Sequence, residues 1–211
     1  MIAIVDYGSG NLRSVLRAFR AVAPQANVQI VDSAKQIDQA DRVVFPGQGA
    51  MHDCMASLAR SGLRDAVLAA CRSKPFFGIC VGEQMLFDRS EEGYTDGLGV
   101  LPGEVVLFSS DRGAVDLGGR PLKVPHMGWN QVHWSGEHPV VSGVQTGSWF
   151  YFVHSFHAEP KEAALVLGES DYGTRFTCAV ARDNIVATQF HPEKSANSGL
   201  KLLSNFVSWN P

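Results

Sequence analysis

The chain has 211 residues, 45% apolar and 18% charged, which is enough apolar material for a core and too much for disorder. Its formal net charge is -3, without the basic excess that a nucleic-acid backbone attracts. No apolar run reaches the roughly 18 residues that a membrane-crossing helix needs.

The opening "MIAIVDYG" lacks the basic flank and apolar stretch of a signal peptide and reads as a first strand. A cytoplasmic location is expected, with Cys54, Cys71, Cys80 and Cys178 as free thiols. No two of them form a C-x-x-C pair, so neither a zinc site nor a redox dithiol is signalled. "NLRSVLRAFRAV" from Asn11 has helical spacing, and "VQIV" at Val28 reads as a strand. "RVVFPG" at Arg42 is a further strand, stopped by Pro46 and Gly47. Helical patterns follow at Met51 to Leu58 and Leu63 to Cys71. Then come "PFFGI", a buried strand, and a helix from about Val81.

From Gly103 the chain turns rich in β-branched and aromatic residues. "NQVHW", "WFYFVHSF", "ALVLGE", "FTCAVAR" and "IVATQF" read as strands, several of them antiparallel, before a last helix from about Ser198 to Trp209. No linker divides the halves. The expectation is one α/β domain over residues 1–211, an open parallel sheet that gains antiparallel strands late. In such sheets chemistry gathers in loops at the carboxyl ends of strands. Those loops are "DYGSGN", "PGQGAM" and the turn carrying Cys80.

"DYGSGNLR" begins like a dinucleotide fingerprint, but Arg13 stands where the third glycine belongs. "GICVG" matches a nucleophile elbow with sulfur in place of the hydroxyl. A sharp strand-to-helix turn presents the sulfur beside backbone N–H groups, and the flanking glycines avoid clashes. On this turn alone, a buried small hydrophobe and a nucleophile remain equal readings of Cys80. A thiol nucleophile needs a base. In "QFHPEKS", Pro192 biases His191 toward extended geometry, where residues i and i+2 share a side. Glu193 then orients His191, whose other nitrogen faces the sulfur. The N–H of Val81 is one oxyanion donor, and Gly47, Gln48 and Gly49 offer a second.

Together "GICVGEQ", "HPEKS" and "PGQG" resemble the class I (triad) glutamine amidotransferases. The resemblance covers nearly the whole chain and implies a flavodoxin-like α/β fold and hydrolysis of glutamine to glutamate and ammonia. "DYGSGNLRS" and "PHMGWN" resemble the branch whose glutaminase subunit pairs, in a heterodimer, with a cyclase subunit in histidine biosynthesis. The resemblance implies Cys80 as nucleophile, His191 as acid and base, and Glu193 as its orienter. It implies Gln84, Glu92 and the stretch Val153, His154, Ser155 and Phe156 as glutamine-binding. It places Asn11, His126, Met127, Trp129, Asn130 and Lys194 at the partner face, with no cofactor. Other readings are a glutaminase of another complex, a Cys-His-Glu hydrolase of similar fold, and a non-catalytic binding module.

Three positions depart from the family pattern. Glu83 stands where an apolar Met is common, and is expected to face solvent or the partner. Gln48 replaces a commonly apolar residue. "HSF" stands where many relatives end in Tyr. Ammonia in neutral water becomes mostly ammonium, so useful transfer needs a dry path to a second site. The isolated subunit is therefore expected to be nearly inactive, its second oxyanion donor misplaced until a liganded partner binds.

Overall fold

The computed structural model describes residues 1–108 and 123–211. The first half alternates as the apolar spacing predicts: β1 (Ile2–Val5), α1 (Leu12–Val22), β2 (Val28–Val31), α2 (Ala34–Asp38), β3 (Arg42–Gly47), α3 (Met51–Ser61), α4 (Arg64–Ser73) and β4 (Phe76–Cys80). Helix α2 has too few residues to show a period. It is marked instead by Ser33, whose side chain accepts the Gln36 N–H at its start.

The helix expected from Val81 is a single turn, α5 (Val81–Gln84). Met85, Leu86 and Phe87 are all fully buried, so no polar face exists for a longer surface helix. The chain instead enters β5 (Phe87–Ser90), β6 (Thr95–Asp96) and β7 (Leu101–Leu107). There follow β8 (His126–Trp134), β9 (Ser148–His154), β10 (Phe156–Pro160), β11 (Val166–Asp171), β12 (Arg175–Arg182), β13 (Ile185–Thr188) and α6 (Ala196–Ser208). The run "WFYFVHSF" is thus two strands broken at Ser155.

The sheet runs β2-β1-β3-β4-β13-β12-β10-β7-β5-β6, with β11, β8 and β9 branching from β12. Strands β2, β1, β3, β4 and β13 are parallel, and β12 is the first antiparallel neighbour. Every residue of β1, β4 and β13 is buried, as parallel strands sandwiched between helices require. Phe206 of α6 packs on Phe19 of α1 and Phe77 of β4, with ring centroids 6.2 and 5.2 Å apart. No helix among the described residues is long and apolar enough to cross a membrane. The parallel strands end along one edge, so the segments after β1, β3, β4 and β13 converge there.

Candidate active site

Cys80 ends β4 with φ +57° and ψ -116°, a positive φ that non-glycine residues rarely adopt. Such a conformation costs on the order of 1–3 kcal/mol and persists only where its surroundings hold it. Gly82 supplies part of that hold, because a Cβ there would lie 1.9 Å from the Phe45 carbonyl oxygen of β3. The turn beyond β4 is thereby pressed flat against the neighbouring strand, and the sulfur is turned toward the sheet edge.

His191 lies beyond β13 and is held by its backbone. Its N–H donates to the Tyr151 carbonyl over 2.9 Å, and Ser195 Oγ donates to its carbonyl over 2.6 Å. Its Nδ1 lies 2.9 Å from Glu193 Oε1, and both side chains are almost wholly buried. The expected pairing forms: His191 is extended, with φ -98° and ψ 95°, and a 3-10 turn over Pro192–Lys194, in place of further extended backbone, carries Glu193 to it. Among the described residues, His191 Nε2 is buried without a hydrogen-bond partner. Burial by itself pushes the imidazole down. The charge of the neighbouring Cys80 sulfur and then Glu193 outweigh it and raise His191 to about 10. The arrangement therefore favours a protonated imidazole beside the sulfur.

Cys80, Val81 and His191 line a cavity of about 290 Å³. Gln48 and Gly49 border it from the loop after β3, Gln84 and Glu92 from the segment after the elbow. Residues Val153, His154, Ser155 and Phe156 close another side, together with Pro125. All the glutamine-binding candidates thus surround one space at the lower end of small-molecule pockets. Glu92 is steadied there, its Oε2 accepting the Met51 N–H over 2.6 Å. Gln84 Nε2 donates to the Phe156 carbonyl and to Gln189 Oε1, over 3.2 and 2.8 Å.

The two oxyanion candidates differ. The Val81 N–H sits at the start of α5, directly after the sulfur. The Gln48 N–H is engaged elsewhere, donating to Ser9 Oγ over 3.2 Å, while Ser9 Oγ donates to the Gln48 carbonyl over 2.8 Å. Cys54 Sγ adds a 3.4 Å bond to the same carbonyl. Gly49, with φ +98°, gives the loop its turn.

The profile of the family described as "Glutamine amidotransferase class-I" matches residues 3–209. The chain belongs to the class-I glutamine amidotransferase family. It is 58% identical over 210 residues to "Imidazole glycerol phosphate synthase subunit HisH" of Aromatoleum aromaticum, covering 100% of this chain and 99% of that one. The protein of that name from Chromobacterium violaceum is 54% identical, with 99% and 98% covered. In fold, the chain superimposes on PurLQS of Thermotoga maritima with TM-score 0.71 at 18% identity, covering 98% and 96% of the two chains. It likewise matches the glutaminase domain of Trypanosoma brucei CTPS, with TM-score 0.64, 17% identity, and 100% and 94% covered.

One expectation for this amidotransferase is corrected. Glu83 faces neither solvent nor a partner: it is fully buried, because every residue of α5 is. Among the described residues neither of its carboxyl oxygens has a hydrogen-bond partner. Burial, and then the nearby Cys80 sulfur, push its pKa well above the usual carboxylate range. Of the partner-face candidates, Met127 and Trp129 are 63% and 49% exposed. Asn11 and Asn130 are half-buried, and so is Lys194, whose Nζ sits 5.6 Å above the Tyr151 ring centroid. His126 is buried, since alternate residues of β8 face opposite sides and it takes the inner one. Trp149, 53% exposed, extends the outer face through its pairing with Gln131, and sequence reasoning missed it. Ser9 and Gln189 were missed as well. Gln189 had a usable signal, because it stands two residues before His191 in a strand-like run.

Proposed function

We propose that the chain is the glutaminase subunit of imidazole glycerol phosphate synthase, acting as one domain over residues 1–211. The observation that carries the glutaminase chemistry is Cys80 at positive φ on the wall it shares with a buried His191–Glu193 pair. The full-length relatives support the finer assignment. Cys80 sulfur attacks the glutamine carboxamide carbon after its proton passes to His191 Nε2. The Val81 N–H stabilises the oxyanion, and His191 returns the proton to the departing ammonia. Water, deprotonated by His191, then cleaves the thioester to release glutamate and regenerate the thiol. Throughout, Glu193 takes no part in the bond changes and only orients the ring.

The ammonia passes to a cyclase subunit, which makes imidazole glycerol phosphate and an aminoimidazole carboxamide ribonucleotide in the cytoplasm. Met127 and Trp129 present the soft apolar and aromatic surface that interface cores favour. Co-purification with that cyclase, followed by glutamate release with and without its substrate, tests the proposal. Cys80→Ala is expected to bind the cyclase and release no glutamate. Persisting glutamate release rules out the nucleophile assignment, and failure to bind any cyclase rules out the partner.

A further inference from the structure

The catalytic sulfur has a neighbour besides His191. Gln189, fully buried between β13 and His191, places Nε2 3.8 Å from Cys80 Sγ. The direction of that amide is imposed from outside. A backbone carbonyl only accepts, so the Gln84 atom 3.2 Å from the Phe156 oxygen is its NH2 group. The same NH2 lies 2.8 Å from the Gln189 side chain, which must turn its oxygen there and its own NH2 to the sulfur.

The Phe156 carbonyl is fixed in turn by His154, whose Nδ1–H donates to it over 2.7 Å. His154 is buried and neutral, so its Nε2 accepts, and His126 Nδ1–H fills it over 2.9 Å. His126 Nε2 accepts from Asn130 Nδ2 over 3.3 Å, and that nitrogen also donates to the Asp171 carbonyl over 2.7 Å. Backbone carbonyls at two points therefore dictate the polarity of every link from Asn130 on β8 to the sulfur.

We propose that Gln189 is a positioning residue that aims an amide N–H at the Cys80 sulfur, aligning it and stabilising it when it carries charge. The inference rests on Cys80 being the nucleophile, but not on the identity of the partner. An N–H donor to a charged group is worth roughly 1.5–3 kcal/mol, a tenfold to hundredfold effect. Tyr7, Glu83 and His191 are the other titratable groups facing the sulfur, and they are left in place.

The test is the rate of Cys80 alkylation by iodoacetamide against pH, read by mass spectrometry of the Cys80 peptide in the full chain. Gln189→Met keeps the volume and leaves the Gln84 NH2 bonded to Phe156. The expected result is a half-maximal pH about one to two units higher than in the parent. A purely structural role for Gln189 leaves the profile where it was, and superimposed profiles in a folded variant overturn the proposal. Should the variant not fold, the unmutated protein still decides: the Gln189 side-chain amide resonance is expected to shift on Cys80 alkylation. An unmoved resonance overturns the proposal. A Cys80 that resists alkylation at every pH in the parent removes the nucleophile reading along with it.

Discussion

Glu83 sits in a stretch of the chain where burial, strain and chemistry coincide, and its cost is open to direct measurement. A buried carboxyl without partners costs on the order of 1–3 kcal/mol. Its folded-state pKa is raised by burial and by Cys80, so it stays neutral in the fold. In the unfolded chain it ionises near its ordinary value of 4.5. Above that pH the unfolded chain releases a proton that the fold retains, and stability is lost as pH rises toward the folded value. Glu83→Met is therefore expected to raise the thermal midpoint, with a larger gain at pH 8 than at pH 5. Equal or lowered midpoints at both pH values would contradict a neutral, unpartnered carboxyl. The sequence made Cys80, His191 and Glu193 legible because each lies in a short pattern with its own chemical logic. Glu83 was misplaced because its environment is set by how tightly Gly82 presses α5 onto β3, a contact between distant segments.

Among the elements, the β8–β9 hairpin divides its labour by alternation. Met127 and Trp129 face outward, while His126 is buried inside against the rings of Phe152 and Tyr172, with centroids 4.9 and 4.1 Å away. Burial lowers His126 to about 4, and burial is also the main cause that lowers His154 to about 3. Both titrate near 6.5 when unfolded, so below that pH the unfolded chain binds protons that the fold excludes. The stability these two contribute is complete above about 6.5 and declines as pH falls toward their folded values. His126 alone accounts for about 2 kcal/mol between pH 7 and pH 5. His126→Phe, which retains the ring stacking, is expected to show a shallower loss of thermal midpoint over that interval. An unchanged slope in calorimetry would show that the ring does not titrate with folding. Periodicity made the strands of this half legible, but not the break at Ser155 that separates β9 from β10. Nor did it show where the helix from Val81 ends, because a wholly buried apolar segment looks alike as helix or strand.

At the scale of the whole molecule, the sheet order places β13 beside β4, although more than a hundred residues separate them in sequence. That pairing brings base to nucleophile, and no local pattern announces it. The same edge joins the loop after β1 to the loop after β3, and here the resting state has a visible latch. Ser9 Oγ takes the Gln48 N–H and returns a bond to the Gln48 carbonyl, so both backbone polar groups of Gln48 are committed to Ser9 and its N–H is withheld from a developing oxyanion. Asn11, a partner-face candidate, lies two residues from Ser9, which puts the latch within reach of a docking surface. On the proposed function, activation by the cyclase has the Gln48 N–H exchange Ser9 for the substrate oxygen, a two-state change that a partner drives only by favouring one state. Ser9→Ala removes both latch bonds while Cys54 still holds the carbonyl. Each neutral bond is worth about 0.5–1.5 kcal/mol and the two together about 1–3 kcal/mol, so partner-free glutamate release is expected to rise roughly fivefold to a hundredfold. The stimulation by the liganded partner is expected to shrink by the same factor, because the coupling energy is shared between the two states. A partner-free rate equal to the parent's, in a variant that still responds fully to its partner, would show that the Ser9 bonds do not hold the resting state.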